Sequence, residues 1–273
     1  MSKHLQIGDY FGSVQGRGGS AGVTLTELSH RQARKLPRHS HEACFLTLVL
    51  RGDYREQFLR DQRPVEYRPF TVGFHPPGLA HQDEIGGSGA DLFMIEVDRG
   101  FSERHAQFLP AAAPAPDLFG SRMTWLATRL YAAFKQGLDS TLDTESFTLE
   151  MLAEAAHLSA PNETGEPPWL RRALELLRAR FTEPLTVAEV AAEVGVHPVH
   201  LSRTFRNRYR QTMGTALNQL RIQDAARKLQ NGEGKNLTEV ALAVGFFDQA
   251  HFCRVFKQHT GVTPGEFRSM LVA

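Results

Sequence analysis

The chain has 273 residues, 41% of them hydrophobic and 22% charged, with a formal net charge of +1. The length suggests two domains and the composition an ordinary globular protein; the longest apolar runs, such as Phe45 to Leu50, fall far short of the roughly 18 residues a membrane span needs. Two cysteines, Cys44 and Cys253, exclude a disulfide framework or a cysteine metal cluster and fit a reducing compartment.

The first residues, MSKHLQIGDY, lack an apolar core, so no secretory signal and a cytoplasmic location are expected. Asn162-Glu163-Thr164 then matches a glycosylation acceptor only by accident. From Gly8 to Gly100 short β-like runs follow one another: Gly22 to Leu28, Phe45 to Leu50, Tyr54 to Leu59, Phe70 to Phe74 and Asp91 to Val97. The pieces RGD, PPG and GGSG read as turns between them, and this spacing suggests an all-β sandwich or barrel. The cluster GRGGSAG (Gly16 to Gly22) lacks the lysine and the strand–helix context of a phosphate loop, and reads as a flexible arm.

The texture changes at AAAPAPD (111–117), a connector by composition. Arg122 to Leu138 carries a helical stripe of Trp125, Leu126, Leu130, Tyr131, Phe134 and Leu138. Asp143 can cap a second helix running through His157. These helices could cover the barrel or also pair two copies of the chain. SAPNETGEPP (Ser159 to Pro168) reads as a linker.

The near-zero total charge hides an asymmetry. From Pro168 to Ala273 there are 15 Lys+Arg against 9 Asp+Glu, a net of +6; residues 1–167 have 16 against 21, a net of −5. A basic end on an acidic body suggests that one end meets a polyanion.

That basic end contains a repeat. LTVAEVAAEVGVHPVHLSRTFRNRY from Leu185 and LTEVALAVGFFDQAHFCRVFKQHT from Leu237 share a pattern: Gly195 matches Gly245, Leu201 matches Phe252, Arg203 matches Arg254, and Phe205 matches Phe256. Each copy reads as a helix, a glycine turn and a second helix, the unit that lays its second helix in the major groove. The units span 185–206 and 237–258. His197 before Pro198, and Asp248, cap the second helices. Val194 and Val196, like Val244 and Phe246, should wedge the helix pairs together, while Leu201 with Phe205 and Phe252 with Phe256 make the buried sides. The opposite faces carry Val199, Ser202, Arg203 and Arg206 in the first copy. In the second they carry Gln249, Ala250, Cys253, Arg254 and Lys257. Arginine can pair with guanine, glutamine with adenine, and small apolar groups can touch the thymine methyl.

Leu237 to Arg268 closely resembles the signature of the AraC/XylS family of transcription regulators, through Ala241, Gly245-Phe246, Phe252, Arg254, Phe256-Lys257, Gly261, Thr263-Pro264, Phe267 and Arg268. The resemblance reaches back to about Trp169 and includes Arg221 and Ala225. It implies two helix-turn-helix units in one domain, reaching successive major-groove segments of double-stranded DNA. One departure stands out: Arg210 occupies the place of Gly261 in the first copy, so that turn could differ or the arginine could contact phosphate.

In this family a small cupin-like barrel that binds an effector commonly precedes helices that dimerise. HSHEACFLTLVLRG resembles the first cupin motif and GFHPPGLAH (Gly73 to His81) the second. His39 and His41, two apart on a strand, would face one way, and His81 would converge on them. Three such histidines could bind zinc, iron or nickel, line an effector pocket, or serve structure. A catalytic cupin usually adds a carboxylate three or four residues past the second histidine, where Phe45 and Leu46 stand here. His39, His41, Phe45, His75 and His81 are therefore read as an effector pocket, with no catalytic residue, no cofactor and no assigned metal.

The sequence thus implies an α+β, two-domain protein: a cupin-like barrel over 1–110, a helical dimerisation segment over 111–158, a linker over 159–168 and a DNA-binding domain over 169–273. The expected function is a non-enzymatic, sequence-specific regulator answering a small-molecule effector. DNA, a second copy of the chain and RNA polymerase are candidate partners, and a membrane is not. The alternatives are a metal-dependent cupin enzyme fused to a nucleic-acid module and an architectural DNA binder without effector.

Overall fold

The computed structural model describes residues 3–58, 64–110, 122–137, 140–159, 165–234 and 236–272. The connector at 111–117, the Asn162-Glu163-Thr164 tripeptide, and Leu59 and Leu138 at the ends of two expected elements lie outside the described residues. The chain divides into two compact units, residues 1–160 and 161–273. Among the described residues no helix is long and apolar enough to cross a membrane.

Among the described residues the first unit is built on one nine-stranded sheet. Its strands are β1 (Lys3–Leu5), β2 (Ser13–Ser20), β3 (Val23–His30), β4 (Arg34–Lys35), β5 (His39–His41), β6 (Cys44–Phe58), β7 (Val65–Tyr67), β8 (Thr71–His75) and β9 (His81–Val97). The two long strands, β6 and β9, run antiparallel from Cys44 opposite Val97 to Phe58 opposite His81. Along its other edge β9 pairs in turn with β5, β4 and β3, and β6 pairs with β7 and β8. Two long strands, each serving several short ones, bend the sheet into a cupin-like half-barrel.

Two expected turns are not turns. Arg51–Asp53 and Gly86–Gly89 lie within β6 and β9. The register shifts between Val49 and Arg51 and again between Gly52 and Tyr54, so these residues form bulges, which bend a strand without ending it. Gly52 has φ +90°, and a Cβ there would lie 2.0 Å from the Gly89 carbonyl oxygen; only glycine fits. The segment Gly16 to Gly22 is likewise no free arm, since most of it belongs to β2 and is hydrogen-bonded to β3. Its glycines hid the strand by removing the alternation that would have marked it.

Short α1 (Arg99–Arg104) follows β9, with the Asp98 carboxylate accepting from the Phe101 N–H at 2.7 Å. Then come α2 (Arg122–Lys135) and α3 (Thr141–Ser159). The α2 stripe is buried within this chain: Trp125, Leu126, Leu130 and Tyr131 are all under 7% exposed, each such burial being worth about 1.5–3 kcal/mol. The two helices pack on each other, α2 also on β6 and β8, and α3 on β2 and β3. The Tyr131 hydroxyl donates to Glu27 Oε1 at 3.0 Å. The cap of α3 is Ser140, whose hydroxyl accepts from the Asp143 N–H at 3.1 Å. Asp143, expected as the cap, lies instead in the first turn, where its charge suits the helix dipole.

The second unit is helical: α4 (Pro168–Arg180), α5 (Val187–Val194), α6 (Pro198–Tyr209), α7 (Met213–Gln230), α8 (Leu237–Ala243), α9 (Gln249–Thr260) and α10 (Pro264–Val272). The pairs α5–α6 and α8–α9 are the two repeats, and α7 packs on α4, α6, α8, α9 and α10. A capping box opens α5: Thr186 Oγ1 accepts from the Glu189 N–H, and Glu189 reaches back to the Thr186 N–H. His197 and Asp248 cap α6 and α9 through side-chain bonds to Val199 and His251 N–H. Leu201, Phe205, Phe252 and Phe256 are fully buried, as are Val244 and Phe246, whereas Val194 and Val196 are only half-buried. The first wedge is thus the looser one. Gly245 (φ +89°) passes so close to the chain that a Cβ would meet the Thr182 carbonyl oxygen at 2.6 Å.

Candidate functional site

Each unit concentrates a different set of chemical groups. In the first, β5 buries His39 and His41 and leaves Ser40 between them partly exposed, the alternation of a strand with one covered face. His39 pairs directly across the sheet with His81 of β9, and their rings lie 4.3 Å apart. The His41 ring stands 5.2 Å from His39 and 5.7 Å from His81. Phe45 of β6 stacks on His75 of β8 at 4.2 Å and touches His41 at 4.3 Å.

Local backbone fixes two of the imidazoles. His39 Nδ1 lies 2.9 Å from the Pro37 carbonyl oxygen and His81 Nδ1 3.0 Å from that of Leu79. A carbonyl only accepts, so each Nδ1 carries the proton and each Nε2 keeps its lone pair. Burial holds both rings neutral, lowering His39 to about 4 and His81 to about 3.

Carboxylates surround this cluster, and the sequence reading missed them. Asp83 follows His81 by two residues on β9; its Oδ2 is 3.6 Å from His39 Nε2 and its Oδ1 3.6 Å from His81 Nε2. Those separations are too long for hydrogen bonds, and burial pushes the Asp83 carboxyl well above the usual range. Glu56 lies behind, bonded to His75 Nε2 at 2.9 Å and to the Tyr54 hydroxyl at 2.7 Å. Burial alone would raise Glu56, but the neighbouring His75, by charge and hydrogen bond, outweighs it and holds the carboxyl at about 2. Glu96 takes the Gly8 N–H at 3.0 Å and the Tyr10 hydroxyl on Oε2, and turns Oε1 toward His41 Nδ1 at 3.8 Å. The rule that finds Asp83 is the one that paired His39 with His41: residues two apart on a strand share a face.

A cavity of about 30 Å³ lies among His39, His41, His81, Asp83, Phe45 and Met94. A water needs about 10–15 Å³ on this measure, so the space suits an ion or a couple of waters. Sugars and aromatic acids occupy pockets of about 300–1,000 Å³. Four of the five expected pocket residues line the cavity; His75 does not, standing behind Phe45 in its bond to Glu56.

In the second unit the chemistry is on the outside. Val199, Ser202, Arg203 and Arg206 on α6, and Gln249, Ala250, Arg254 and Lys257 on α9, are all exposed; Cys253 is half-buried. The caps and buried faces described above turn these residues outward. Gln249 accepts from the Thr238 hydroxyl at 2.6 Å. Arg203, Arg206 and Arg254 form no ion pair with any described residue, whereas Arg171, Arg180 and Arg227 in the same unit are paired with Glu166, with Glu183 and Glu193, and with Asp224. Unpaired positive charge is therefore displayed on the two repeated helices.

Arg221, marked by the family pattern, has an inward role. It donates to the carbonyls of Phe181 and Glu183 at 2.7 and 2.8 Å, beside the end of α4, and its guanidinium lies 5.7 Å from the Phe246 ring centre. It thereby ties α4 to the second repeat. Ala225, fully buried on α7, keeps that helix close to its neighbours. Arg210 has φ 54° and the left-handed backbone that Gly261 also adopts, so the first repeat ends in the usual turn without the usual glycine.

Comparison with known proteins agrees with this geometry. Residues 190–270 match the model of a helix-turn-helix domain. The chain is 34% identical over 86 residues to the probable transcription factor PqrA of Proteus vulgaris, covering 32% of this chain and 70% of that one. It is 31% identical over 98 residues to the regulatory protein SoxS of Salmonella typhimurium, covering 36% and 91%. The bifunctional transcriptional activator/DNA repair enzyme AdaA of Bacillus subtilis is 32% identical over 102 residues, 37% of this chain but only about half (48%) of that relative's length. With a paired helix-turn-helix unit, outward arginines at matched positions, and two relatives matched over 70% and 91% of their length, the chain belongs to the AraC/XylS family of DNA-binding transcription regulators.

Proposed function

We propose that this regulator reads two successive major-groove segments of DNA with α6 and α9, and that occupation of the barrel cavity alters that reading. On the first helix Val199, Ser202, Arg203 and Arg206 make the contacts; on the second Gln249, Ala250, Cys253, Arg254 and Lys257 do. The observation that carries this reading is the set of unpaired arginines on the exposed faces of two capped, repeated helices. An unpaired arginine keeps its donor fork for guanine or phosphate. The barrel is read as a sensor and not a catalyst: its polar groups are buried around a space of about 30 Å³, which suits an ion or a couple of waters. The protein works as a homodimer, and RNA polymerase is the further partner of such a regulator.

Selection of binding sites from random DNA by the purified full-length protein tests this reading. The recovered site should hold two conserved segments about one helical turn, roughly 34 Å, apart, and affinity should fall steeply with salt. Arg203→Ala and Arg254→Ala should each cost about 1–3 kcal/mol and relax preference at one base position. Uniform weakening across all sequences would reduce these arginines to phosphate contacts, and failure to enrich any site would sink the reading.

A further inference from the structure

The barrel cavity brings lone pairs together. His39 Nε2 and His81 Nε2 are acceptors, because each Nδ1 proton is committed to a backbone carbonyl. Asp83 presents one carboxylate oxygen to each, at 3.6 Å, and its Oδ1 has no hydrogen-bond partner among the described residues. The His41 ring closes a third side, and ligand nitrogens of His39, His41 and His81 all lie within 4.8 Å of one another. Acceptors facing acceptors in a buried space repel unless a proton or a Lewis acid stands between them, and 3.6 Å is too long for a shared proton.

We infer that this site binds one divalent transition-metal ion through His39, His41, His81 and Asp83, and that this ion is the regulator's effector. Distances favour an ion over direct contact. Zinc–nitrogen bonds of about 2.0–2.1 Å place tetrahedral ligands roughly 3.3–3.4 Å apart, close to the 3.6 Å from Asp83 Oδ2 to His39 Nε2 and from Asp83 Oδ1 to His81 Nε2. The Nδ1 bonds to carbonyls are the kind that orient metal-bound imidazoles. Three imidazoles and one carboxylate suit zinc, cobalt, nickel or ferrous iron, and not magnesium or calcium, which take oxygen. A second group, Glu56, His75 and His81, is also close enough to be considered. There, however, His75 and Glu56 are already joined at 2.9 Å, so that pair is satisfied by itself. The carboxylate sought beside His41 in the sequence comes instead from Asp83, on the strand that carries His81.

The effector assignment rests on the regulator reading above, and the test separates the two. Full-length protein stripped with a chelator is titrated with Co²⁺ and then Zn²⁺, and its affinity for the selected DNA site is measured in both states. One equivalent of Co²⁺ should bind with the visible absorption of a tetrahedral site, be displaced by Zn²⁺, and raise the melting temperature; Mg²⁺ should do none of this. His39→Ala should weaken binding at least ~10-fold, and so should Asp83→Asn, which keeps the side-chain shape if the alanine variant fails to fold. Absence of stoichiometric Co²⁺ or Zn²⁺ at micromolar concentration overturns the site. Undiminished binding by a folded Asp83→Asn protein overturns its ligand set. Stoichiometric metal with identical DNA affinity in both states overturns the effector role while the regulator reading stands. If neither state selects a DNA sequence, the regulator reading fails, and the effector role falls with it even where the metal binds.

Discussion

The two units put ionisable side chains on opposite sides of their surfaces. The half-barrel buries His30, His39, His41, His75, His81, Glu56, Asp83 and Glu96; the buried polar residues of the helical unit, among those described, are the uncharged Gln219, Gln223 and Thr260. A buried imidazole or carboxyl must be satisfied by a partner held at fixed distance, which makes it a ligand or a hydrogen-bond lock. An exposed arginine remains charged and hydrated until a polyanion displaces its counterions. Under the proposed function the difference separates sensing from reading: one unit would recognise something small enough to enter a core, the other something too large to enter anything.

The largest test of that contrast is Glu56→Ala. It leaves the His75 N–H and the Tyr54 hydroxyl without their shared acceptor, and breaking a buried pair costs about 3–5 kcal/mol. Urea unfolding should show that loss in the signal of Trp125, which lies in the first unit, while Trp169 reports the second. A cost below about 1 kcal/mol would mean that this polar core does not hold the barrel. Arg203→Ala should do the reverse. Its exposed side chain should move stability by no more than about 0.5 kcal/mol while lowering DNA affinity by the 1–3 kcal/mol given above.

Acid should also separate the units. His39 and His81 have folded pKa values of about 4 and about 3, below the ordinary histidine value of 6.5. Unfolding below pH 6.5 therefore takes up protons, so their contribution is complete above that pH and is lost as pH falls toward 4. Asp83, raised by burial, acts in the opposite sense over part of the range. In the helical unit burial lowers His259. For metal-free protein, the Trp125 transition should shift to lower temperature between pH 6.5 and 4 by more than the Trp169 transition. Equal shifts would remove the buried-histidine explanation.

How far the sequence disclosed these features follows from the periodicity of each. Helices α5 to α9 were legible because caps, glycines and apolar spacing all agreed, and the outward residues follow once the buried face is known. His39, His41 and His81 were legible as a set through strand alternation and a resemblance. Asp83, Glu56 and Glu96 were not singled out, since their roles depend on which strands lie opposite, and register across β6 and β9 is a long-range property. The same holds for Arg51–Asp53 and Gly86–Gly89. Their glycines signal a departure from regular backbone, and a bulge and a turn share that signal until the partner strand is seen.

The smallest expected effect compares the two repeats of the helical unit. Gly261 ends α9 in the left-handed region at φ 83°, and Arg210 ends α6 there at φ 54°. A residue with a Cβ costs roughly 1–2 kcal/mol in that region, and glycine gives back part of this through its greater freedom in the unfolded chain. Arg210→Gly should therefore raise stability by about 0.5–1 kcal/mol, read as a higher urea midpoint with unchanged slope. The same variant decides why arginine stands there. If Arg210 touches phosphate, the more stable protein should bind every DNA sequence more weakly by a similar factor, with a shallower salt dependence. Unchanged affinity would mean that the first repeat tolerates a strained turn to no benefit in DNA binding. A loss of stability would show that the Arg210 side chain contributes more to the end of α6 than its backbone costs.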